Sequence, residues 1–106
     1  MIAILSMDDL YKKLTALSED ELILDVRTPG EFSDGHVPGS RNIPHEQVAD
    51  FAGELKNYRK IYIYCRSGRR VEYALHELER AGLINLEGVI DGGMPDWIAC
   101  GYPVER

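Results

Sequence analysis

The sequence predicts a three-layer α/β domain with a mainly parallel sheet of about five strands. Three observations carry this. Strand-like and helix-like segments alternate along the 106 residues. The stretches between successive strands are long enough for the crossovers that parallel pairing requires. Leu22-Ile23-Leu24 and Ile61-Tyr62-Ile63-Tyr64 are continuous apolar runs, the pattern of strands covered on both faces.

Ile2–Leu5 reads as the first strand. Ser6 is placed to cap a helix running to about Leu17, with Asp9 as a capping-box partner. Met7, Leu10, Leu14 and Leu17 form its apolar stripe. The second strand, Leu22–Leu24, ends at Asp25-Val26-Arg27, and Thr28-Pro29-Gly30 opens a short helical turn through Phe32. Asp34–Gly39 is a loop, and Asn42-Ile43 is a brief strand closed by Pro44. A helix over about Glu46–Leu55 puts Val48, Phe51, Ala52 and Leu55 on one face. The strand Ile61–Tyr64 leads into Cys65, and Ser67-Gly68 marks a tight turn. A helix follows to about Ala81, with Val71, Ala74, Leu75 and Leu78 facing the core and Gly82 as its stop. Val89-Ile90 is the last strand, and a short helix spans about Pro95–Ala99. In parallel sheets a ligand sits beyond the carboxyl ends of the strands, so the turns after Leu24, Tyr64 and Ile90 should gather at one site.

Hydrophobic residues make up 44% and charged residues 28%, the balance of a globular chain, and the length fits one domain over residues 1–106. No apolar run approaches the ~18 residues of a membrane span. Ile2–Leu5 has neither the basic lead nor the cleavage site of a signal peptide, so the expected location is the cytoplasm, with no membrane partner. The cysteines, Cys65 and Cys100, are expected as free thiols, and no zinc-like spacing is present. A net charge of −6 argues against a nucleic-acid partner. Yet six of the twelve bases, Lys56, Arg59, Lys60, Arg66, Arg69 and Arg70, fall between Glu54 and Glu72 with no acid among them. Such a zone suits a small anion rather than a polyanion. Lys56, Arg59 and Lys60 read as a solvated face.

The chemistry concentrates in Cys65-Arg66-Ser67-Gly68-Arg69-Arg70, which joins a buried strand to an amphipathic helix. A loop there can turn successive backbone N–H groups inward as an anion nest, and the helix adds its positive dipole end. Gly68 supplies the backbone freedom, and Cys65 starts the loop, so its sulfur belongs at the centre. That setting favours a thiolate and removes the need for a general base. Arg66, Arg69 and Arg70 are candidates to hold an incoming oxyanion. Asp25 and Arg27 are candidates for supporting the site, Asp25 through a salt bridge with Arg27 or Arg41 or as a turn cap. Glu31 and His36 read as scaffold, and Cys100 as packing.

The cysteine loop resembles the active-site loop of the rhodanese family, the single-domain thiosulfate sulfurtransferases. Asp25-Val26-Arg27-Thr28-Pro29-Gly30-Glu31-Phe32 and Gly35–Pro44 resemble that family's N-terminal signature, and Gly92-Gly93, Trp97 and Gly101-Tyr102-Pro103-Val104 its C-terminal one. Ser40 stands where the family often has Ala. The resemblance implies a rhodanese-like fold and a persulfide on Cys65. It implies a small anionic donor such as thiosulfate, a thiol or sulfur-acceptor protein as partner, and no metal or organic cofactor. Arg66 directly after the cysteine implies thiosulfate rather than mercaptopyruvate. The alternative within the same fold is a non-enzymatic sulfur-relay or partner-binding module. Cysteine phosphatases use a similar nest but need an arginine six positions after the cysteine; here that position is Val71, and Arg70 comes one residue early.

Overall fold

Residues 2–106 are described by a computed structural model; Met1, the first residue of the expected domain, lies outside them. Five strands form one sheet in the order β1-β5-β4-β2-β3, all neighbours parallel. They are β1 Ala3–Leu5, β2 Glu21–Asp25, β3 Arg41–Asn42, β4 Lys60–Tyr64 and β5 Leu86–Val89. The helices are α1 Met7–Thr15, α2 Pro29–Asp34, a 3-10 helix His45–Phe51 running into α3 Ala52–Leu55, α4 Arg69–Arg80 and α5 Met94–Ala99.

The two-residue period of the strands splits the core into two layers. Leu22, Leu24, Ile61, Ile63 and Cys65 point to one face, where Val48, Leu55, Val71, Ala74, Leu75 and Leu78 cover them. Ile23, Tyr62 and Tyr64 point to the other, under Met7, Leu10, Met94 and Trp97. This is the expected three-layer arrangement, with β2 and β4 buried on both sides. The α4 core face consists of the four expected residues. Gly82, at φ +96°, turns the chain after it. The Ser6–Asp9 capping box at α1 is complete, though the helix ends at Thr15, short of Leu17.

β3 is Arg41–Asn42 rather than Asn42-Ile43, and two elements differ more from the sequence reading. The segment 45–55 is a 3-10 turn followed by one turn of α-helix rather than one helix. Val48 and Phe51 are three apart, the spacing that eclipses in a 3-10 helix, and Asp50 and Gly53 are weak α formers. The last strand is Leu86–Val89, not Val89-Ile90. Glu87 and Gly88 break the apolar pattern, but Gly88 is required. A Cβ there would lie 2.8 Å from Leu75 Cδ1 and 2.9 Å from Val71 Cγ1, so the missing side chain lets α4 pack on β5.

No helix among the described residues is long and apolar enough to cross a membrane.

Candidate active site

The sheet's parallel register brings the carboxyl ends of β2, β4 and β5 together, at Asp25, Tyr64 and Val89. Cys65 follows β4 directly and is buried. One flank of the residue belongs to the apolar layer under α4. On the loop side the Gly68 N–H donates to Cys65 Sγ at 3.0 Å. Gly68 is the N-cap of α4, so this donor is one of those the helix itself leaves unpaired.

Two glycines fix the loop's path. Gly68 has φ +100°, and a Cβ on it would stand 1.9 Å from the Ile90 carbonyl oxygen. Gly93 passes so close underneath that a Cβ would stand 2.2 Å from the Cys65 carbonyl oxygen and 2.3 Å from that of Arg66. The Met94 N–H donates to the Cys65 carbonyl at 2.9 Å, tying the start of α5 to the loop. The turn after β5 therefore does reach the cysteine loop, as expected.

The turn after β2 is held by a buried ion pair. Arg27 Nη2 donates to Asp25 Oδ2 at 2.7 Å, Nε reaches both carboxylate oxygens at 3.1 and 3.0 Å, and the Arg27 N–H caps Oδ1 at 2.8 Å. Of the two partners considered for Asp25, Arg27 is the one in place; Arg41 pairs with Glu54 instead. Burial is the largest single influence and opposes the Arg27 charge, but the Asp25 hydrogen bonds and charge, together with Tyr64, raise the guanidinium above its ordinary value. Arg27 Nη2 also donates to the Gly35 carbonyl at 2.7 Å, which anchors the following loop. We expect Asp25→Asn to lower stability by about 3 kcal/mol, because it strands a buried guanidinium. Urea unfolding followed by circular dichroism checks this.

The three loop arginines divide. Arg70 is bound to Glu31, Nη1 to Oε1 at 2.6 Å and Nη2 to Oε2 at 3.0 Å. The Arg70 hydrogen bonds hold the Glu31 carboxyl down at about 2. Arg66 and Arg69 are exposed, as is Ser67. Arg66 lines a groove of about 270 Å³ beside the loop, together with Arg27, Glu31, Asp34, Met94, Pro95 and Ile98. The apolar side of that groove was not read from the sequence, nor was the meeting of Glu31 with Arg70. The local signal for Glu31 was present: Thr28-x-x-Glu31 is a capping box, and both of its bonds form.

The remaining candidates are scaffold or surface. His36 Nδ1 donates to the Phe32 carbonyl at 2.8 Å, its ring stacks on Phe32, and Nε2 lies 3.3 Å from the Glu105 carboxylate. Tyr64 is buried and its hydroxyl accepts from the Val37 N–H at 3.0 Å. Cys100 corrects the sequence reading: it is exposed rather than packed, with Sγ 3.7 Å from Asp8 Oδ1. It follows Ala99, the last residue of α5, as the helix's C-cap.

A family model described as "Rhodanese-like domain" matches residues 6–100. The chain belongs to the rhodanese-like family. A sulfurtransferase of Allochromatium vinosum is 32% identical to this rhodanese-like domain over 107 residues, covering 98% of the chain and 95% of that protein. The putative sulfur carrier protein YrkF of Bacillus subtilis is 38% identical over 87 residues, 82% of the chain; the chain spans 46% of that relative's length. A rhodanese-related protein from Thermoplasma volcanium superposes with a TM-score of 0.81 at 33% identity, over 97% of each chain.

Proposed function

We propose that this rhodanese-like domain is a sulfurtransferase that carries sulfane sulfur as a persulfide on Cys65. The observation that carries the reading is the N–H of Gly68 aimed at Cys65 Sγ from the cap of α4. The Cys65 thiolate attacks the outer sulfur of thiosulfate. A new S–S bond forms, the bond to the sulfonate sulfur breaks, and sulfite leaves with the electron pair. The persulfide's terminal charge rests beside the Gly68 N–H at the start of α4. An acceptor thiolate, or cyanide in the assay, then attacks the outer sulfur, and the Cys65 thiolate leaves. No proton has to move in either step, so the site needs no general base.

Arg66 is the guanidinium on the groove beside the loop with no carboxylate of its own, and we assign it to the donor's sulfonate end. Arg66→Ala should raise the thiosulfate KM about fivefold to tenfold with kcat little changed, the loss of a partly exposed charge-assisted contact. Steady-state thiosulfate:cyanide kinetics measure it, and an unchanged KM removes Arg66 from the site.

A second reading is a relay in which a partner protein delivers and collects the sulfur. It separates from the first by donor: the relay takes up sulfur from a protein persulfide and none from thiosulfate. The name of the Bacillus relative, a sulfur carrier, suits that reading.

A further inference from the structure

Glu31 and Arg70 form a contact at the site that the transfer steps above do not use. Glu31 is fixed before Arg70 reaches it. Its Oε1 accepts from the Thr28 N–H at 3.2 Å and from the Thr28 hydroxyl at 3.1 Å, at the start of α2. Arg70, in the first turn of α4, then binds both carboxylate oxygens. The pair is half-buried, with side chains 24% and 32% exposed. Arg70 stands in the first turn of α4, whose cap residue Gly68 donates to Cys65 Sγ, and its partner Glu31 lines the same groove as Arg66. A cation thus stands beside the cysteine loop with its donor fork already filled.

The other arginines sharpen the contrast. Arg27, Arg41, Arg59 and Arg80 each pair with a carboxylate, and Arg106 Nε donates to the Asp34 carbonyl. Among the described residues, Arg66 and Arg69 have no such partner. These two remain available to an anion, and Arg70 does not.

We propose that Glu31 is a positioning residue that withholds Arg70 from the donor's oxyanion, so that the site holds its anionic donor through Arg66 and not through a two-guanidinium clamp. The inference rests on the sulfur-transfer reading of Cys65. Its physical sense lies in the products. Thiosulfate and sulfite are both small dianions with a sulfur-centred oxyanion end, so a clamp tight on one is tight on the other. Gripping donor and product alike lowers KM but slows the departure of sulfite. With Arg70 occupied by Glu31, the anion is recognised and released by one exposed side chain. The bland reading of the same pair is a strut between α2 and α4.

The two readings predict opposite signs. Glu31→Gln frees Arg70 and removes a negative charge from the groove. Thiosulfate KM should then fall about fivefold, with a lower kcat as sulfite release slows. Loss of a strut loosens the loop and raises KM. In Glu31→Gln/Arg70→Ala the KM should return to within about twofold of wild type. A raised or unchanged KM in the single variant, or a low KM that persists in the double, overturns the proposal. A second arm needs no turnover. In the reduced ¹⁵N-labelled protein titrated with sulfite, the Arg66 Nε–H signal should shift while that of Arg70 stays, and both should shift in Glu31→Gln. Sulfite that moves Arg70 together with Arg66 in the wild type overturns the proposal. If the wild type takes no sulfur from thiosulfate, the proposed function fails by itself and the titration still decides the role of Glu31.

Discussion

Cys65→Ser should take up no sulfur from thiosulfate and should keep the wild-type fold. The substitution exchanges one buried atom for another, and the Gly68 N–H that donates to Sγ at 3.0 Å can donate to a hydroxyl instead. Stability should therefore stay within about 1 kcal/mol of wild type. The chemistry does not survive, because a hydroxyl needs a base to become a nucleophile and none is at hand. His36 is committed to Phe32 and Glu105, and His45 stands edge-on to Tyr73. Thiocyanate formation should fall at least ~10³-fold. Rate and thermal melt are measured on the same preparation. A folded Cys65→Ser protein that still transfers sulfur would place the nucleophile elsewhere, with exposed Cys100 the first residue to test.

Gly68→Ala should be the most damaging single methyl in the molecule. The left-handed φ of +100° costs an L-residue about 1–2 kcal/mol, and forcing a methyl into packed space costs about 1–3 kcal/mol more. Here the obstacle is the Ile90 carbonyl oxygen at 1.9 Å, backbone of the neighbouring turn, which cannot swing aside like the end of a flexible side chain. We expect a loss of about 4 kcal/mol or more. The donor to Cys65 Sγ moves with the residue, so any protein that still folds should also take up sulfur slowly. Gly30→Ala is the control. Gly30 lies in α2 with nothing within 4 Å of an added Cβ, and its stability should hold or rise slightly. Chemical unfolding of the two variants side by side checks the contrast, and equal stabilities would mean that the loop does not depend on Gly68.

What the sequence made legible follows from the range of each signal. The α4 face could be read residue by residue, because Val71, Ala74, Leu75 and Leu78 repeat with the helical period and depend on nothing distant. Asp25 and Arg27 are two apart, so their pairing was among the local options. The start of β5 was hidden because Gly88 is there for a neighbour's sake, making room for Leu75 and Val71. Glu31 and Arg70 lie 39 positions apart, and only the fold brings them into contact. Half of that arrangement, the Thr28–Glu31 capping box, was local and readable. The Cys65 loop was legible as chemistry because a cysteine, a glycine and three arginines crowd one strand-to-helix junction. The burial of the sulfur was not, since it depends on how the turn after β5 closes beneath the loop.

The most direct test of the central claim is the intact mass of the reduced protein after incubation with excess thiosulfate, before and after cyanide. The account predicts a gain of one sulfur atom on Cys65, removed by cyanide as thiocyanate. An unchanged mass, with Cys65 shown to be a free thiol, would contradict it.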